Sequence, residues 1–143
     1  KLSAIATLVY LLLGAVGVQL GTRFLVAKEC GVHQNYKNKV LKANDIATMS
    51  TGKRLGHPVR SIKNPYTKEY FKLEYSDISD EELEAYGRGS LYRAAVEGDE
   101  KTGCFLAGQI AGMVNKEQTA KEIIEEIFTQ AEDVLKGATK WVK

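Results

Sequence analysis

Hydrophobic and polar positions follow several different rhythms along this chain. Residues 2–22, LSAIATLVYLLLGAVGVQLGT, carry no charged side chain. Two readings of that run stand side by side. A continuous apolar helix of this length spans a bilayer. Alternatively, the helix ends at Gly14, turns, and feeds a short buried strand from Gly17 to Leu20, with the GAVG glycines serving as C-cap and turn. Further on, VHQNYKNKVLKA places Val32, Tyr36, Val40 and Leu41 on one face with lysines opposite, which predicts an amphipathic surface helix. The 3.6-residue rhythm then disappears between Ile46 and Asn64. Gly52, Gly56 and Pro58 punctuate that stretch, which reads as one or two short strands or a loop.

The second half is marked by helix-start signals. Asn64 followed by Pro65 predicts an N-cap and first helical residue for PYTKEYFKLEY. Ser79 with Glu82 forms a capping-box pattern ahead of DEELEAY, and the GRG at 87–89 breaks that helix. In GCFLAGQIAGMV, Ala107, Gly108, Ala111 and Gly112 put small residues on adjoining faces of a predicted short helix, so that another backbone or a flat ligand can approach closely. Thr119 and Glu122 repeat the capping-box pattern. After them Ile123, Ile127, Ala131, Val134, Leu135, Ala138 and Trp141 recur at helical spacing, predicting a long helix with one buried stripe.

Composition narrows the function classes. A chain of 143 residues with 44% hydrophobic and 27% charged residues has the make-up of one ordinary globular domain. A formal net charge of +2 argues against nucleic acid or anionic lipid as the main partner. Cys30 and Cys104 belong to no CxxC or Cys/His spacing, so reduced thiols and no metal site are expected. HExxH, GxSxG, GxxxxGK[ST] and GxGxxG patterns are all missing, which argues against the enzyme classes they mark. His33 is expected to be solvated on the polar face of its helix. His57, between Gly56 and Pro58 and followed by Arg60 and Lys63, sits in a basic loop that either holds an anion or is closed by its own hydrogen bonds.

Several separated blocks, GVQLGTRF, VAKE, HQNYKNKVLKA, GHPVRSIKN, AGQIAG and KEQTAKEI, together resemble the C-terminal part of the FMN-dependent enoyl-acyl-carrier-protein reductases of type II, and more loosely the related nitronate monooxygenases. The likeness is collinear from about Gly14 onward. It implies an α/β fold, the C-terminal fragment of a TIM (β/α)8 barrel with a mainly helical inserted domain. In that scheme residues 1–24 supply the penultimate helix and last strand, 25–115 the inserted smaller domain, and 116–143 the last barrel helix. The strand reading of Val18 to Leu20 then prevails, and the chain is expected to be cytoplasmic, with no membrane partner.

The resemblance also implies a site. Gln19, Leu20, Gly21 and Thr22 would bind the FMN phosphate, because barrel enzymes hold phosphate at the C-terminal ends of the last strands. Arg23 is not counted among the ligands. Phe105, Leu106 and Gln109 would lie on the substrate or flavin side, with core packing the alternative for Phe105 and Leu106. The family reaction takes a hydride from NADH or NADPH to FMN and on to the double bond of an enoyl thioester carried by acyl carrier protein, in fatty acid synthesis. The catalytic residues would lie upstream of residue 1, so this stretch by itself is expected to be inactive; a homodimer is compatible with the pattern. Two alternatives remain: a nitronate monooxygenase using FMN and oxygen, and a non-catalytic remnant of the family. Residues before Gly14 depart from the family pattern, lacking its GGIADG-like loop.

Overall fold

The computed structural model describes residues 2–138 and residue 140. The apolar N-terminal run is not one long helix. Helix α1, Leu2–Leu12, stops at a turn in which Gly14 adopts φ +95°, a conformation open to glycine and strained for other residues. No helix among the described residues is long and apolar enough to cross a membrane. Residues 15–20 then run without regular secondary structure, so the strand expected at Val18 to Leu20 is not formed. The reason is physical: a strand needs a hydrogen-bonded neighbour, and the only sheet among the described residues is a two-stranded one elsewhere in the chain.

A single turn of helix, α2 (Thr22–Leu25), follows, and then α3, Gln34–Leu41. His33 is exposed, as expected, although it stands at the start of the helix and not on its face. It is the N-cap of α3, where its Nδ1 accepts from the Asn35 N–H at 3.1 Å. Tyr36 and Val40 are buried as the pattern predicts, but so is Lys37. The Lys37 ammonium donates to the Ala27 carbonyl at 2.7 Å, to the Lys28 carbonyl at 3.3 Å and to Glu117 Oε1 at 3.3 Å.

Between Ile46 and Asn64 the chain makes an antiparallel hairpin of β1 (Thr48–Thr51) and β2 (Val59–Ile62), with Thr48 opposite Ile62 and Ser50 opposite Arg60. Gly52 begins the connection at φ +81°, and a Cβ there would lie 2.6 Å from the His57 carbonyl oxygen. Asn64 caps α4 (Pro65–Glu74) with a full capping box to Thr67, and Ser79 does the same for α5 (Asp80–Gly87) with Glu82. A short α6, Ser90–Tyr92, winds on into a π-turn over Arg93–Glu97.

The segment GCFLAGQIAGMV departs from expectation. Only Gln109–Met113 is helical, as a 3-10 turn; residues 105–107 lie along β2 instead. There Ile62 N–H donates to the Phe105 carbonyl at 2.8 Å and Ala107 N–H to the Arg60 carbonyl at 3.1 Å. Their backbone groups are thus satisfied by the open edge of the hairpin, which a helix would have left unpaired.

The last helix, α7 (Ala120–Ala138), begins at the predicted Thr119–Glu122 box, in which Thr119 N–H donates to Glu122 at 2.7 Å and Glu122 N–H to the Thr119 hydroxyl at 3.2 Å. Its stripe is buried at Ile123, Ile127 and Ala131, where it packs with Ala4, Ala27 and Leu20. Val134, Leu135 and Ala138 are exposed, contrary to the predicted stripe, and Trp141 lies outside the described residues. Two further clusters complete the core. One gathers Val26, Tyr36, Val40, Ile62 and Phe105; the other gathers Tyr66, Tyr70, Leu83 and Cys104.

Candidate functional site

The sequence directs attention to the turn at Gly21, and the structure gives that turn a specific shape. Gly21 caps α2 at φ −98°, a backbone conformation that needs no glycine, and a Cβ built on it would meet nothing within 4 Å. Neither its conformation nor a neighbour among the described residues accounts for a glycine there, which holds equally for Gly17 and Gly31; the N–H groups that follow set Gly21 apart. A group that must approach the backbone closely would account for it. The N–H groups of Thr22 and Arg23 find no acceptor among the described residues. The Thr22 hydroxyl oxygen accepts from the Gly108 N–H at 2.9 Å, which leaves the hydroxyl proton to donate.

That hydrogen bond ties the turn to the strip 105–108. Four bonds from three regions hold the strip: the two to β2, the Tyr36 hydroxyl donating to the Leu106 carbonyl at 2.7 Å, and Gly108 to Thr22. Burial pushes the Tyr36 phenol well above its ordinary value, so it stays protonated and donating. Between the turn and the strip lies a largely apolar cavity of about 490 Å³, lined by Gly21 and Thr22 at one margin and by Leu25, Tyr36, Leu106 and Gly108 among others.

The candidate residues divide. Gly21, Thr22 and Leu106 share this cavity. Phe105 does not reach it. It is fully buried, tilted against the Tyr36 ring at 4.9 Å with the Lys39 ammonium 5.2 Å from its centroid, and supports the wall from behind. Gln109 is exposed at the start of the 3-10 turn and lines no part of the cavity. Gln19 and Leu20 border a different hollow against α1, and the Leu20 side chain packs into the α1–α7 core. Arg23 turns away from the cavity and bonds Gln118 and the Lys116 carbonyl. Burial draws its guanidinium below the ordinary value, with Glu126 opposing.

Sequence reasoning missed Tyr36 and Arg60 as cavity-lining residues. Tyr36 read simply as core, and Arg60 as one charge in a basic loop; only the hairpin register brings Arg60 to the cavity. His57 is exposed and edges a smaller hollow beside Tyr66 and Cys104, with its N–H donating to the Gly52 carbonyl at 3.1 Å. The chemistry of the Gly21 turn, an open backbone face beside two free N–H groups and a hydroxyl, fits the phosphate of a cofactor such as FMN.

The geometry thus defines a mixed helix-and-sheet chain with an anion-accepting turn beside an apolar cavity. Residues 4–130 match the nitronate monooxygenase family, and the chain belongs to that family. It is 31% identical over 127 residues to a probable nitronate monooxygenase of Staphylococcus saprophyticus, an alignment covering 87% of this chain and 35% of that protein. A probable nitronate monooxygenase of Bacillus subtilis is 26% identical over 117 residues, covering 82% of this chain and 34% of its own length. The chain therefore spans about a third of the length of these curated relatives. Among solved structures, FabK from Thermotoga maritima superposes with a TM-score of 0.91 and 34% identity, over 97% of this chain and 44% of that one. Nitroalkane oxidase from Streptomyces ansochromogenes shares the fold, with a TM-score of 0.70 at 24% identity over 92% of this chain and 38% of its own.

Proposed function

We propose that this chain is the C-terminal part of a flavin-dependent oxidoreductase built on a TIM barrel, and that its Gly21–Thr22 turn contributes half of the phosphate cradle for FMN. The observation that carries the reading is the Gly21 turn itself, where an unused Cβ position faces open space beside unpaired N–H groups and the Thr22 hydroxyl. Gln19 and Leu20 set the path of the backbone into the turn. When bound, FMN would supply the hydride chemistry. The chain's own part is to hold the phosphate through Gly21 and Thr22 and to present the Leu106 wall to the reacting side.

For the whole protein we favour reduction of an enoyl thioester on acyl carrier protein by NADH or NADPH. The likeness to FabK, which extends over nearly all of this chain, supports that choice. The second reading is a nitronate monooxygenase, favoured by the matching family and by the curated relatives. The two reactions separate in one assay on the full-length protein that carries this chain. Oxidation of NADH or NADPH that requires a crotonyl thioester and proceeds without oxygen supports the first. Oxygen-dependent consumption of an alkyl nitronate with no nicotinamide requirement supports the second. A protein that copurifies with no flavin and takes up none would contradict both.

A further inference from the structure

Two adjacent residues of α3 bind different parts of the chain. Successive helical side chains point about 100° apart, so one short helix meets two surfaces at once. Tyr36 faces the strip: its hydroxyl donates to the Leu106 carbonyl at 2.7 Å, and its ring lies 4.9 Å from that of Phe105. Lys37 faces the place where the chain leaves after α2 and returns before α7. Its ammonium holds two carbonyls of the outgoing segment, Ala27 at 2.7 Å and Lys28 at 3.3 Å, and Oε1 of Glu117 in the returning segment at 3.3 Å.

Lys37 is only 4% exposed. An apolar side chain of the same volume would fill that space without desolvating a charge, so packing by itself does not account for a lysine there. What the ammonium adds is geometry. Its acceptors come from two segments far apart in sequence, and all of them are within reach in one arrangement of α3, Ala27–Lys28 and Glu117. A displacement that stretches those bonds leaves a buried cation short of partners, which is costly. Glu117 is itself held by Gln34 from the first turn of α3, at 3.3 Å, and the bonds from Gln34 and Lys37 keep its carboxyl below the ordinary range.

Both surfaces that α3 meets lead to the site. The outgoing segment follows directly on the Gly21 turn and α2, and the strip carries the Leu106 wall. The bond between Gly108 and Thr22 joins turn and strip at one point; a second attachment through α3 fixes their orientation as well as their distance. We infer that α3 sets the spacing of the Gly21 turn and the Leu106 wall, with Lys37 as a positioning residue that acts through Tyr36. The link stands on these bonds, and only its effect on turnover rests on the proposed flavin-dependent reaction.

The test uses the full-length protein that carries this chain. Hydrogen exchange by mass spectrometry follows residues 105–108, and the amides of α5 report any general loss of stability. Lys37→Met should speed exchange over 105–108 about fivefold or more and leave α5 unchanged. Glu117→Gln keeps an acceptor oxygen and loses the charge, so it should act in the same direction more weakly; it carries the comparison if Lys37→Met does not fold. In a Tyr36→Phe background neither change should add to exchange at the strip, because the link is already cut. With FMN bound, kcat should fall about tenfold in Lys37→Met, the penalty of a misplaced wall, while FMN affinity stays at that of the unaltered protein. Additive effects of Glu117→Gln and Tyr36→Phe at the strip would overturn the inference. Exchange that rises equally in α5 would do so too, as would unchanged protection at the strip in a folded variant. A protein that takes up no FMN would contradict the flavin reading alone, since the exchange comparison is read without flavin.

Discussion

Thr22 has one hydroxyl, and its oxygen is already accepting from Gly108 at 2.9 Å. The residue therefore links the Gly21 turn to the wall of the cavity. Thr22→Val keeps the shape and removes that acceptor, so the Gly108 amide should exchange with solvent faster; a rise of about fivefold or more corresponds to the loss of one ordinary hydrogen bond. Thr22→Ser keeps the oxygen and should restore the protection, and hydrogen exchange read at Gly108 checks both. Residue-level features like this were only partly legible beforehand. Gly21 and Thr22 stood out because a glycine followed by a hydroxyl residue is local information. The burial of Lys37 did not, because its acceptors lie 10 and 80 positions away at Ala27 and Glu117, and no local pattern brings them together. Phe105 was read two ways, and its complete burial places it behind the site and not in it.

Helix starts were the most legible elements, since a cap involves residues three apart and little else. The cap at Asn64 and the boxes at Ser79 and Thr119 all form where the sequence places them, and Thr67 turns the first into a box that the sequence reading did not foresee. Asn64 does more than cap. Its Nδ2 also donates to the carbonyls of Glu100 at 3.1 Å and Gly103 at 2.7 Å, pinning α4 to the segment that leads into the cavity wall. Asn64→Ala should therefore cost about 2–4 kcal/mol, a cap plus two further hydrogen bonds, measured by urea unfolding. Extended elements were the least legible. Ala107, Gly108, Ala111 and Gly112 are small side chains at helical spacing, yet over residues 105–107 the open edge of β2 decides the conformation, and residues 18–20 have no strand to pair with among the described residues. The tyrosine cluster between α4 and α5 gives a pH signature. Burial raises Tyr66 to about 12, against a bond with Ser90 that opposes the shift, and burial raises Tyr70 and Tyr86 as well. A phenol whose folded pKa is raised stabilises the fold fully below its unfolded value of about 10 and loses that contribution as pH climbs toward 12. Thermal melts across that window should show a falling Tm, and Tyr66→Phe should flatten the fall.

At the scale of the molecule, the cluster joining α1, Leu20 and α7 stands apart from the one that gathers Tyr36, Ile62 and Phe105. Between them the chain leaves and returns side by side: Ala27 bridges Gln118, Lys28 N–H donates to the Gln118 carbonyl at 2.9 Å, and Lys37 spans both strands of the crossing. Much apolar surface stays open beyond that crossing. Leu12 and Leu13 are 67% and 78% exposed, and Ile124 and Phe128 project from α7. Surface of that kind favours association, so this chain by itself should form concentration-dependent oligomers in sedimentation velocity, and a monomer at every concentration would contradict the expectation. The sequence showed the buried stripe of α7 but not where it ends, because exposure at Val134 and Leu135 depends on what packs there and not on helical spacing.

Gly21 is the residue on which FMN binding is expected to depend most. In the full-length protein that carries this chain, flavin fluorescence titration should show that Thr22→Val binds FMN about tenfold to a hundredfold more weakly than the unaltered protein, the effect of losing one hydrogen bond to a charged phosphate. Gly21→Val should be weaker still, since its side chain would fill the space where the backbone is approached, while its thermal melt stays close to the parent because a Cβ at that position meets no atom of the described residues within 4 Å; Thr22→Val also gives up the bond from Gly108, so its melt should fall slightly. A well-folded Gly21→Val protein with unchanged FMN affinity would contradict the assignment and leave the turn as the plain beginning of α2.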